Sequence, residues 1–367
     1  MNVLSGRWRT LALAAGVGLG TLLFFFLAYF VVIMFLPTNT RSHDLCVLDC
    51  YWYGAIATDG YGAAPDIMTL QARFGFFPGY PVAASLFMDL TGLPFDIAGI
   101  ALNAGFSLLF CWLALEYRND LGLKDEKSAL TFLAAFLLSP WGLYNRVPYS
   151  EMLFNLGSLA TFIAWRQKNY PVAAISGSIV TATRFSGVLL PAALCLELLV
   201  RDWKHALDLL ARPDGHLRSL AIMPLGLVAF MLFLYFQTGD PLAYVHVEQV
   251  GWNQGFRNPL ATLWGGLWAG PSTRYSVAAF IVTSIALFWG TRVRRIPVAL
   301  ALFAWLAPAV AVTSTLVAQP RFSLALFPIY LIAPAAPRRL KPALIALLAI
   351  GQAGFLFFWV QATGTLQ

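Results

Sequence analysis

The sequence predicts an all-α integral membrane protein with about eleven transmembrane helices. Three observations carry that prediction. Hydrophobic residues make up 59% of the 367 positions and charged residues 11%, against roughly 45–50% and about 25% in soluble globular chains. Mean hydropathy is +0.71, and the chain holds 29 Phe and 12 Trp. Leu11 to Leu36 runs without a charge, longer than the roughly 20 apolar residues that cross a bilayer. A soluble enzyme, a secreted disulfide scaffold and a disordered chain are all excluded.

Taken in order, the first apolar run follows Arg7 and Arg9 and is too long for a signal-peptide core, so it reads as an anchor. Further apolar segments lie near 94–115, 129–144, 151–165, 171–183, 187–200, 219–236, 273–291, 296–318, 322–336 and 342–360. Several are shorter than a full span, which points to helices that stop partway. With a cytoplasmic N-terminus, 17 of the 24 Lys and Arg fall on cytoplasmic loops and 7 outside, as the positive-inside rule requires. The net charge of +7 is then a topology signal and calls for no nucleic-acid partner. No internal repeat is visible, so residues 1–367 read as one transmembrane domain.

Two long stretches, 37–93 and 237–272, fall on the non-cytoplasmic side. The first carries Asp44, Asp49, Asp59, Asp66 and Asp89 with an aromatic group that includes Tyr51, Trp52, Tyr53, Phe76 and Tyr80. The second carries Tyr244, His246, Glu248, Trp252, Arg257, Trp264 and Trp268. Long loops of this kind are usually functional or lie on the membrane surface. Among the cysteines, Cys111 and Cys195 sit in apolar runs as small hydrophobes. Cys46 and Cys50 are four apart, a marginal spacing for a disulfide. His43, Asp44 and Asp49 lie close by, but no zinc-type CxxC or HxxxH spacing is present, and no metal ligand set is assigned.

Five motifs hold the candidate chemistry. Read as one helix, Leu45, Leu48, Trp52 and Ala55 form an apolar stripe with Asp49 beside it. A carboxylate against aromatic surface at the interface is a candidate base; a helix cap or a partner for a loop arginine is the structural alternative. Gly75-Phe76-Phe77-Pro78-Gly79-Tyr80-Pro81 makes a rigid elbow, since its two prolines fix φ and remove two donors. Tyr149-Ser150-Glu151 opens a helix, where the dipole favours a carboxylate. Arg184 and Arg321 each stand between two apolar segments on the outer side. They are candidates to hold a phosphate through bidentate contacts, or to pair with Glu151 or an Asp and lock helices together.

These pieces occur in a recognisable order. Asp49-Cys50-Tyr51-Trp52-Tyr53 with Ile56-Ala57 and Gly60-Tyr61, Phe76-Phe77-Pro78-Gly79-Tyr80-Pro81, Tyr149-Ser150-Glu151-Met152-Leu153-Phe154, Arg184-Phe185-Ser186-Gly187 and Pro320-Arg321-Phe322 with Phe327-Pro328 resemble motifs of one family. It is the family of the second mannosyltransferase of GPI-anchor synthesis and its bacterial relatives, within the GT-C class of polytopic glycosyltransferases. The matches span about residues 49–328. Leu48 stands where the family often has Trp, and Phe185 where a small polar residue is expected.

The resemblance implies a GT-C-like bundle whose first non-cytoplasmic loop carries juxtamembrane helices. It also implies transfer of mannose, with inversion, from a polyprenyl-phosphate-mannose donor to a lipid- or glycan-linked acceptor. Asp49 would be the general base, and Trp52, Tyr53, Tyr149, Glu151, Arg184, Arg321 and His246 the substrate contacts. No bound cofactor and no partner subunit are expected, and a divalent metal stays open. The compartment would be the cell membrane in a bacterium and the endoplasmic reticulum membrane in a eukaryote. The rival reading is a polyprenyl-lipid transporter or non-catalytic lipid-binding protein, whose mark would be deep charges at paired positions of two repeats.

Overall fold

A computed structural model describes residues 3–36, 45–62, 73–201, 214–294, 296–314, 316 and 319–361. Asp44, Asp66, His43 and Arg295 of the sequence argument lie outside the described residues, and among those described there is no strand. Among the described residues, five helical stretches are long and apolar enough to cross a membrane: Arg7–Phe35, Phe95–Glu116, Gly215–Thr238, Pro271–Val293 and Lys341–Gln361. The other expected segments are helical too, but shorter, so helix length alone counts five crossings rather than eleven.

Helix α1 (Val3–Phe35) packs on α4 (Phe95–Glu116) and on the last helix, α16 (Lys341–Gln361). Between α1 and α4 come the short helices α2 (Asp49–Asp59) and α3 (Gly79–Thr91). Helix α5 (Glu126–Leu137) stops before Pro140, and a 3-10 turn over Pro140–Asn145 follows. Helices α6 (Glu151–Arg166) and α7 (Tyr170–Thr183) form a tight antiparallel pair, and α6 also packs on α4. All but one of the residues from Glu151 to Trp165 are buried. A helix apolar on every side belongs at the centre of a bundle, and α6 is the post around which the site is built.

Beyond it lie α8 (Leu189–Arg201), α9 (Gly215–Ile222), α10 (Leu225–Thr238), α11 (Ala243–Gly251), α12 (Pro259–Ala269), α13 (Pro271–Arg294), α14 (Val298–Val312) and α15 (Gln319–Leu324). The segment expected at 322–336 is not one span. It divides into α15 and a 3-10 run over Phe327–Ala335, because Pro328 and Pro334 each lack the N–H an α-helix would use.

A second expectation is corrected at the first loop. The stripe through Leu45, Leu48 and Trp52 does not lie on one helix, because α2 begins only at Asp49. Leu48 caps it with a φ of 54°, a conformation that non-glycine residues hold only when the surroundings impose it. The constraint is covalent: Cys46 and Cys50 form a disulfide with Cα atoms 5.1 Å apart, inside the usual range. The spacing judged marginal works because the chain bends sharply between the two cysteines instead of running on as helix. The turn is also packed from below, in a cluster that joins Cys50, Tyr53, Tyr80, Tyr149 and Trp359.

Candidate active site

Four charged side chains from four separate elements meet at one place. Arg321, on α15, donates through Nη1 to Asp49 Oδ2 and through Nε to Glu151 Oε1. Arg184, the extended residue that ends α7, donates through Nη1 to the same Glu151 oxygen at 2.5 Å. The chain Asp49–Arg321–Glu151–Arg184 carries two negative and two positive charges. Its exposure is graded: the Glu151 side chain is 2% exposed, Arg184 13%, Arg321 14% and Asp49 29%. A buried carboxylate is tolerated only when paired, and Glu151 has two cations. Asp49 is the most exposed of the four.

Aromatic rings set the geometry. The Arg321 guanidinium lies over Tyr144 and Tyr149, 4.9 and 4.8 Å from the ring centres. Arg184 lies over Phe322 at 5.3 Å and Phe154 at 5.8 Å. Stacking suits the planar guanidinium and leaves its edge free for oxyanions. Tyr149 then donates from its hydroxyl to Val47 O at 2.8 Å, tying the turn before Asp49 to the start of α6. The Tyr53 hydroxyl is 3.0 Å from Ser150 Oγ and ties α2 to the same point. Tyr53 and Tyr149 are therefore seen here as braces of the Asp49 helix.

Asn155 is a brace that the sequence reading missed. It lies one turn below Glu151, is 1% exposed, donates to Ala325 O at 2.9 Å and accepts from Phe327 N at 3.0 Å. Both bonds clamp the segment just after Arg321 onto α6. The available signal was an Asn four residues after Glu151 inside an apolar helix. Tyr144 was missed as well, since nothing local distinguishes it from a packing tyrosine.

The second loop contributes unevenly. His246 accepts or donates to Asp240 at 2.6 Å and is half exposed, with no contact to the four charges. Trp52 stacks on Phe76 with ring centres 5.7 Å apart, and Trp252 meets both edge-on at 6.1 and 5.6 Å. Glu248, one turn before Trp252, makes no hydrogen bond or ion pair to its side chain among the described residues. Burial and the charge of Asp49 push its carboxyl up to about 8. A narrow crevice of about 10 Å³, room for one water, is lined by Glu151, Arg184, Ser186, Arg321 and Phe322 among others. The second carboxylate oxygen of Glu151 is buried without a hydrogen-bond partner among the described residues. No described group of three or more His, Cys, Asp or Glu has the arrangement of a metal site.

With the geometry described, comparison with known proteins adds the architecture. No family model and no curated protein sequence matches the chain. Among solved structures it is similar to ArnT from Cupriavidus metallidurans bound to undecaprenyl phosphate, with a TM-score of 0.53 at 12% identity over 95% of this chain and 76% of that one. The likeness is one of overall helical fold. The five helices long and apolar enough to cross a membrane make it a multi-pass membrane protein.

Proposed function

We propose that the protein is a membrane glycosyltransferase that moves mannose from a polyprenyl-phosphate-mannose donor to a lipid- or glycan-linked acceptor on the non-cytoplasmic face, with inversion. It is grouped with the family of the second GPI-anchor mannosyltransferase on the motifs above. The observation that carries the proposal is the convergence of Asp49, Glu151, Arg184 and Arg321, drawn from four elements into one network. A purely structural ion pair needs two groups; a phosphate site beside a base needs cations next to an accessible carboxylate. The shared helical fold and the undecaprenyl phosphate bound by its structural neighbour support a polyprenyl donor.

In the chemistry proposed, the acceptor hydroxyl attacks the anomeric carbon while the bond from that carbon to the phosphate oxygen breaks. Asp49 takes the hydroxyl proton, and the polyprenyl phosphate leaves as an anion held by Arg184 and Arg321. Both arginines are already paired with carboxylates, and the crevice between them has room for about one water. A phosphate therefore has to part the Arg321–Asp49 pair in order to bind. That exchange also frees Asp49, so that the base becomes available only when donor is in place. Placing this loop outside is supported by the Cys46–Cys50 disulfide, which persists in oxidising compartments.

Incubating the purified protein with radiolabelled polyprenyl-phosphate mannose and membrane lipid extract tests the reading. Label should move to a new lipid or glycan. Donor that crosses a bilayer with its sugar still attached would identify a transporter instead.

A further inference from the structure

Asp49 stands between two differently equipped neighbourhoods. On one side are the cations with Tyr144, Tyr149 and Phe322. On the other are three aromatic rings and a second carboxyl. Trp52 lies one turn along α2 from Asp49, and Trp252 one turn along from Glu248; their rings meet 6.1 Å apart, with Phe76 stacked against Trp52. Both indoles are only half-buried. Glu248 lies close to the elbow: a Cβ built on Gly75 would be 3.1 Å from the Trp252 ring, 3.2 Å from the Val247 side chain and 3.5 Å from Glu248 Oε1. The elbow Gly75-Phe76 is thus pressed against the face of α11 that carries the acid.

This combination suits a neutral sugar and no other ligand of the proposed reaction. Indole faces take the C–H side of a pyranose ring, and a carboxyl takes its hydroxyls. The donor phosphate is repelled by the Asp49 carboxylate and drawn to Arg184 and Arg321. We propose that Trp52, Phe76, Trp252 and Glu248 form the subsite for the acceptor sugar, with its ring on an indole and a hydroxyl held by the Glu248 carboxyl. The inference rests on the transferase reading above and adds where the acceptor lies. Glu248 is charge-neutral near pH 7 because burial and Asp49 raise its proton affinity, while Arg321 opposes them. In that form it both donates and accepts, and Gln is its nearest substitute. Asp49, on the neighbouring turn, then has the acceptor hydroxyl within its reach.

The test is saturation-transfer NMR on the full chain in lipid nanodiscs at pH 6.5 with methyl α-D-mannopyranoside, alongside binding of undecaprenyl phosphate. Wild type should bind the mannoside, and irradiation of aromatic protons should transfer to the C–H protons of one sugar face. Trp252→Ala and Glu248→Leu should each weaken mannoside binding by roughly tenfold, the loss of one good contact. Glu248→Gln should stay within about threefold, and undecaprenyl phosphate should bind all four proteins alike. Unchanged mannoside binding in both Trp252→Ala and Glu248→Leu overturns the subsite. So does the absence of aromatic transfer in wild type, a result that no folding defect can produce. Wild type that binds the mannoside through Trp252 but not undecaprenyl phosphate keeps the subsite and sinks the donor reading; binding neither sinks both.

Discussion

Asp49 and Arg321 are 272 residues apart in sequence and share an ion pair, and the same guanidinium reaches the buried Glu151. One arginine thus links the most accessible carboxylate of the site to the least accessible. Whatever displaces Arg321 from Asp49 changes the charge that Asp49 faces without exposing Glu151, because Arg184 stays bonded to it.

The first prediction follows from that arrangement. Arg321→Lys keeps the charge but loses the fork that spans two carboxylates, and Arg184→Lys loses its stacked geometry on Phe322. Each should weaken donor use by about 2–5 kcal/mol, the range for breaking a buried charged contact. Single-turnover kinetics across donor concentrations measure it. If both lysine variants turn over as wild type, the arginines serve only to join helices.

Asp49→Asn preserves size and removes basicity. Transfer at saturating donor should fall by on the order of 10²–10⁴, as for other positioned bases, with little change in thermal midpoint. Glu151→Gln should show the opposite balance. It leaves Arg184 and Arg321 without their shared buried negative charge, and breaking such pairs costs about 3–5 kcal/mol. A stable Glu151→Gln protein that binds donor but is inactive would transfer the role of base to Glu151.

Replacing Cys46 and Cys50 by Ser should release the turn at Leu48. A loop this short contributes about 2 kcal/mol in the chain-entropy treatment, so the thermal midpoint should drop measurably. Transfer should fall further than the midpoint explains, because Asp49 directly follows the strained residue. Dithiothreitol added to wild type should mimic the double variant and leave that variant unaffected.

Glu248 provides a pH test. Its carboxyl is raised from the ordinary 4.5 to about 8, so the folded chain holds a proton that the unfolded chain has already released. Stability from this group is complete below about pH 4.5, is lost progressively as pH rises to about 8, and then levels off. The midpoint of wild type should therefore fall relative to that of Glu248→Gln between pH 5 and 8. Parallel midpoints over that range would show that Glu248 is an ordinary exposed acid.

Topology can be checked with impermeant thiol reagents on single-cysteine variants at positions 255 and 293. Position 255 should label from outside intact cells and 293 only after permeabilisation, as the distribution of basic residues requires. The reverse pattern would invert the whole protein.

Much of the site was legible because its signals are local. Asp49, Glu151, Arg184 and Arg321 stand out as charges at breaks between apolar runs, where an ionisable residue is a candidate for function. His246 looked equivalent in sequence, yet its partner is Asp240 on a half-exposed face, a distinction that one-dimensional spacing does not contain. Asn155 and Tyr144 carry no charge, and the sequence reading passed over both.

The sequence by itself determined that this chain lives in a membrane, that it is helical, and where its apolar runs lie. Hydropathy, proline and glycine act within a few residues of where they stand. Only the tertiary structure decided that two acids and two arginines form one network, that a disulfide holds the turn before Asp49, and that Glu248 faces the same aromatic group as Trp52. Those relations join α2, α6, α7, α11 and α15. They depend on how helices far apart in the chain pack around α6, and packing is set by the summed contacts of the whole bundle rather than by any segment's own composition.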